Sequence, residues 1–115
     1  MALKSSLKFI SKRISQAVQN SAALQGLAPG DYALAGSYDQ PTERISLTLG
    51  TDRSIDEGRW YADTLDEIRR LFPEFPYLTM HVGIVVRKVA NLDEVYIDYA
   101  DADDEMDLTE MLQHA

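Results

Sequence analysis

The sequence predicts an α+β fold with the element order α-β-β-α-β-β-α, a four-stranded antiparallel sheet with helices packed mainly on one face. Three observations lead there. Two long stretches repeat apolar residues at helical spacing, shorter ones alternate at strand spacing, and brief turn-forming clusters separate them. No internal repeat or low-complexity linker interrupts the chain, so residues 1–115 read as a single α+β domain. A chain of this length buries roughly two thirds of its unfolded surface, enough for one core without metal or disulfides.

The first helix is expected over 3–24. Leu3, Leu7, Ile10, Ile14 and Val18 fall on one face, and Gly26 with the Pro29-Gly30 pair closes the segment. DYALAGSY, 31–38, alternates as a strand, Asp39 and Pro41 supply a turn, and RISLTLG, 44–50, sets Ile45, Leu47 and Leu49 against Arg44, Ser46 and Thr48. Strands so closely joined form an antiparallel hairpin. The second helix opens on Ser54 and Glu57, spaced as a capping box in which each side chain meets an orphan backbone N–H. Tyr61, Leu65, Ile68 and Phe72 are its expected buried stripe, with Trp60 flanking it, and Pro73 stops it.

YLTMHVGIVVRKV, 77–89, is the most hydrophobic run and reads as a long strand. ANLDE, 90–94, reads as a turn and VYIDY, 95–99, as a strand that completes a second hairpin. A third helix is expected from about Asp103 to Gln113, with Leu108, Met111 and Leu112 as its apolar contacts.

Composition removes several function classes. With no cysteine there are no disulfides, zinc–thiolate sites, iron–sulfur clusters or cysteine nucleophiles. No apolar run approaches the roughly 18 residues of a membrane span, and a cytoplasmic location is expected. The formal net charge is −8, which repels nucleic-acid phosphates. The charge is segregated, however. The first 30 residues carry Lys4, Lys8, Lys12 and Arg13 and no acid, a total of +4; the remainder sets seven Lys/Arg against 19 Asp/Glu, a total of −12. That basic helix is the one place from which nucleic acid could be contacted, although four charges with no aromatic but Phe9 favour a helix packed on the sheet.

Candidate site residues follow from strand parity. If helices cover the aliphatic face built of Ile45, Leu47, Leu49, Met80, Val82, Ile84, Val86, Val95 and Ile97, then His81 lies on the opposite face. Its companions there are Ser46, Thr48, Thr79, Arg87, Tyr96 and Asp98. Gly83 removes a side chain from that face and is expected to leave a shallow hollow. An enzyme would use His81 as acid/base, Asp98 as its orienter and Arg87 as an anion clamp. A binding protein would use the same polar face. Arg59 and Trp60 form a second candidate contact, since Arg and Trp are enriched in binding hot spots; the competing reading has Trp60 covering the edge of the core. The acidic run DYADADDEMD, 98–107, has no glycine where a calcium loop requires one and reads as an acidic helix start. No phosphate-binding loop, nucleophile elbow or histidine-rich metal site is present, so neither metal nor cofactor is expected.

The predicted element order resembles that of the pterin-carbinolamine dehydratases. Where that family carries a histidine pair before a Pro and an aromatic, this chain reads RLFPEFPYL, so the resemblance covers layout and not activity. Layout, size and acidity are also similar to the chaperones of type III secretion, which are dimers that bind unfolded segments of their clients. The expectation from the sequence is a non-catalytic, chaperone- or adaptor-like domain that binds a protein partner and forms a homodimer. The alternatives are a small enzyme or ligand-binding protein working around His81 and Asp98, and nucleic-acid contact through the N-terminal helix.

Overall fold

In the computed structural model, residues 7–75, 77–97, 99, 106–109 and 112 are described. Helix α1 spans Leu7–Leu24 and is followed by strands β1, Tyr32–Asp39, and β2, Arg44–Thr51. Helix α2 covers Glu57–Leu71, a 3-10 turn covers Leu78–His81, and strand β3 runs Val82–Lys88. A four-residue helix α3, Glu94–Ile97, and a two-residue strand β4, Met106–Asp107, complete the described elements. No helix among the described residues is long and apolar enough to cross a membrane.

The α+β class holds, but the sheet is mixed rather than four-stranded and antiparallel. Three strands are full-length and the fourth is the short β4, in the order β3-β2-β1-β4. The first hairpin forms as expected, with Leu34 opposite Leu49 and Tyr38 opposite Ile45. β3, in contrast, lies parallel to β2, and its register matches apolar residue to apolar residue: Ile45 with Val82, Leu47 with Ile84, Leu49 with Val86. Helix α2 is the crossover that a parallel pair requires. There is no second hairpin in the described chain, because Val95, Tyr96 and Ile97 belong to the α3 turn instead of a strand. The element order on which the likeness to the two families named above rests is therefore not the observed one. The long strand also starts later than 77, since residues 78–81 coil into the 3-10 turn. Met106 and Asp107 pair with β1 as a strand, so the helix expected from Asp103 does not run through them; residues 103–105 lie outside the described residues.

Local chemistry accounts for the element ends. α1 stops in a Schellman motif: Gly26 adopts φ 80°, its N–H donates to the Ala23 carbonyl, and the Leu27 N–H reaches back to Ala22. The α2 N-cap is Asp56, not Ser54. Its carboxylate accepts from the Arg59 N–H at 3.1 Å, and Ser54 is left exposed outside the helix. In the β1–β2 loop Thr42 donates to the Asp39 carboxylate at 2.6 Å, and Glu43 takes a left-handed φ of 53°.

The principal core lies between the sheet and an antiparallel α1–α2 pair. Ile10, Ile14, Ala17, Val18 and Ala22 come from α1; Trp60, Ile68 and Phe72 from α2 and its end; Leu34, Tyr38, Ile45, Leu47, Leu49 and Val82 from the sheet. The α2 stripe is rotated by one position from expectation. Trp60, Thr64 and Ile68 are buried, whereas Tyr61 is exposed and Leu65 only half-buried. The reason is a polar contact supplied by α1. Ser21 Oγ donates to the Val18 carbonyl, meets Thr64 Oγ1 at 2.8 Å and accepts from Trp60 Nε1 at 3.2 Å, so the indole is buried with its N–H satisfied. Asn20 to Glu67, Gln25 to Asp63, and Arg13 to the Leu71 carbonyl and Glu74 tie the two helices from end to end.

A second, smaller cluster sits on the opposite face. Val89, Val95 and Tyr99 pack against Ala33 and Ala35 of β1, with Leu92 and Tyr96 at its margin. This corrects the expected placement of Val95, which covers the other face of the sheet, and of Ile97, which is exposed. Met80, also assigned to the helix face, is exposed on the 3-10 turn.

Candidate functional site

Strand β3 occupies one end of the sheet, with β2 as its neighbour. In a parallel ladder alternate residues bond to one neighbour, and the residues between them face the other way. The Val89 N–H donates to the Thr51 carbonyl at 2.9 Å. With the observed register, Gly83, Val85 and Arg87 therefore turn their backbone groups toward β2, while Val82, Ile84, Val86 and Lys88 turn theirs outward. No described element pairs with that outer row. The edge is seven residues long, with neither proline nor bulge to blunt it.

The side chains around this edge define a surface. Val85 projects from the face opposite the α1–α2 pair and is 56% exposed. Tyr77 and Met80, just before the strand, are 71% and 72% exposed. At Gly83 the expected hollow is filled, because the Arg44 guanidinium lies over it, with Nη2 3.0 Å from where a Cβ would stand. The Arg44 side chain makes no hydrogen bond or ion pair among the described residues, and neither does that of the exposed Lys88 at the far end of β3.

The residues singled out from the sequence separate into groups. Ser46, half-buried on β2, sits opposite Gly83 in the register, and Arg87 is half-buried on the same face of β3. His81 is exposed and closes the 3-10 turn before β3 instead of lying within the strand. Thr79 belongs to the same turn. Thr48 is buried, its hydroxyl 2.7 Å from Tyr99 Oη, and half-buried Tyr96 packs on the second cluster; both serve the cover supplied by the α3 segment. Trp60 is completely buried between the helices and the sheet. Arg59 is exposed at the start of α2, after the C-terminal end of β2, whereas His81 precedes the N-terminal end of β3. They lie toward opposite ends of the parallel pair. Asp98 is outside the described residues. Arg44, Val85, Tyr77 and Met80 were not singled out by the pattern, since their importance depends on which strand lies at the edge.

The electrostatics elsewhere are those of structural ties. Arg13 donates to Glu74 Oε1 at 2.7 Å, which raises the guanidinium and holds the Glu74 carboxyl below its usual range. The same guanidinium lies 4.3 Å from the Phe9 ring centre and 5.2 Å from that of Phe72. Glu67 is lowered first by its hydrogen bond from Arg70, with Asn20 adding to the effect. Burial raises the Tyr38 phenol, and the carboxylates of Glu43 and Asp39 reinforce the shift. Among the described residues no three His, Asp or Glu side chains come together in a group that could hold a metal ion.

Comparison with known protein families, with curated proteins and with solved structures finds no match for this chain.

Proposed function

We propose that this chain is a protein-interaction domain, adaptor- or chaperone-like in character, that docks an extended segment of its partner along the outer edge of β3. One observation carries the proposal: a full-length edge strand turns the backbone groups of Val82, Ile84, Val86 and Lys88 outward, beside the exposed apolar side chains of Tyr77, Met80 and Val85. An edge of this kind is a template for another strand. Main-chain hydrogen bonds supply affinity, and the side chains on either face supply selectivity. The basic α1 is the weaker candidate, because Arg13 is committed to Glu74, the Leu71 carbonyl and two phenyl rings.

Proline at an outward-facing position removes an edge donor and leaves the ladder to β2 intact. Val86→Pro is therefore expected to abolish capture of the native partner, and Val85→Asp, at an exposed side chain, to weaken it by about tenfold, or ~1.4 kcal/mol. His81→Ala is expected to leave capture unchanged. Retention of the same partner by both Val86→Pro and Val85→Asp, with circular dichroism showing an intact fold, contradicts the proposal. Loss of a measurable activity in His81→Ala with capture intact would favour the enzyme reading instead.

A further inference from the structure

The docking edge has an electrostatic character opposite to that of the chain as a whole. The molecule carries a net charge of −8, yet β3, VGIVVRK, contains no acid. Cations stand at both of its ends. Over Gly83 lies the Arg44 guanidinium, and at the other end is exposed Lys88, neither with an ion-pair partner among the described residues. Asp39 and Glu43, the acids nearest Arg44 in the hairpin, belong to β1 and the loop, on the side of β2 away from β3. The Asp39 carboxylate is held there by Thr42. Between the two cationic ends the exposed side chain is apolar Val85.

We infer that the edge of β3 selects an extended peptide segment bearing acidic side chains on either side of an apolar centre. The inference rests on the docking reading above and specifies its partner. Gly83 and Lys88 are five residues apart, about 17 Å along a strand. Five is an odd number of residues, so Lys88 projects from the face opposite to Gly83 and Val85; a ligand strand therefore meets both cations when its acids stand five residues apart, one on the face of the aliphatic residue that covers Val85 and one on the other face. Opposite charges across neighbouring strands are favourable and like charges are not. The same rule argues against a second copy as the occupant. Another β3 would bring a second Lys88 to an edge already flanked by Arg44, with no acid on either strand to meet it.

The test is a titration of isotope-labelled protein, followed by backbone amide shifts, which register weak as well as tight binding. One probe is a short synthetic threonine peptide with glutamate at its second and seventh positions and valine at its fourth and fifth, so that in either strand direction one valine lies on the Val85 face. A second replaces both glutamates by lysine. The glutamate peptide is expected to shift the amides of Ile84, Val86 and Lys88, to bind at least about tenfold more tightly than the lysine peptide, and to weaken as salt is raised. Arg44→Glu, at an exposed side chain, is expected to reverse much of that preference.

Equal binding of both peptides to these amides, lost in Val86→Pro, would overturn the acidic selectivity and leave edge docking standing. Binding of neither peptide, with concentration-dependent protection of the same amides, would replace the peptide by a second copy of the chain. Binding of neither, with no self-association in sedimentation, would overturn the inference and the docking reading together.

Discussion

The two faces of the sheet are covered in different ways. On one face α1 and α2 place large side chains, Trp60, Phe72, Ile10 and Ile14, over Leu47, Leu49 and Ile45. On the other, Val89, Val95 and Tyr99 approach closely because the sheet offers them small residues: Ala33, Ala35 and Gly50. A Cβ at Gly50 would collide with Val95 Cγ2. The large-residue face is closed by two long helices and their side-chain bonds. Among the described residues, the small-residue face is closed by one short turn, which covers β1 and part of β2, and Val85 is exposed. Cover thickness follows side-chain size, and the exposed side chain next to the unpaired edge lies where the second cover ends.

Breaking the first face should have the largest effect. Trp60→Ala removes a fully buried side chain and leaves the Ser21–Thr64 pair facing a void; a loss of about 3–5 kcal/mol is expected in chemical denaturation. An equal response from Tyr61→Ala, one position along the same helix but exposed, would contradict the observed helix rotation.

Breaking the second face should cost less and act locally. Gly50→Ala sets a methyl against Val95, with an expected loss of about 1–3 kcal/mol. Hydrogen exchange should accelerate over residues 92–97 and little in α1 or α2. Uniform acceleration would mean that the two covers form one cooperative unit.

Acid should separate the faces more subtly. The Arg13–Glu74 bond ties α1 to the residues after α2, and Arg13 holds the Glu74 carboxyl below its ordinary value. A carboxyl lowered in the folded state stabilises the fold above its unfolded pKa, about 4.3, and that contribution disappears as pH falls through the lower folded value. Melting temperature should therefore fall less between about pH 5 and pH 3 for Glu74→Gln than for the unaltered chain. Identical slopes would show that the exposed pair contributes nothing measurable.

Much of the first face was readable from spacing, and most of the second was not. Ile10, Ile14 and Val18 repeat as a helix stripe, and Ile45, Leu47 and Leu49 alternate as a strand, because each pattern depends on one local period. The α2 stripe is ambiguous by one residue: 60, 64, 68 and 61, 65, 68, 72 are both helical. The Ser21 hydroxyl on another helix decides between them by satisfying Trp60 and Thr64. VYIDY is too short for alternation to distinguish a strand from a turn of helix. Parallel pairing of β3 with β2 is a long-range choice made by the α2 crossover, and with it went the identity of the edge strand. Arg44 over Gly83 shows the consequence. The pattern marked the missing side chain but not the neighbour that fills its place.

The central claim is that β3 is an edge whose even-numbered residues face outward. Residue-by-residue amide hydrogen exchange on the isolated protein tests it most directly. Alternation is predicted: slow exchange at Val85, Arg87 and Val89, whose N–H groups point toward β2, and fast exchange at Ile84, Val86 and Lys88. Slow exchange at all six positions, unchanged on dilution, would mean that another part of the chain already occupies the edge, and the proposed docking site would not exist.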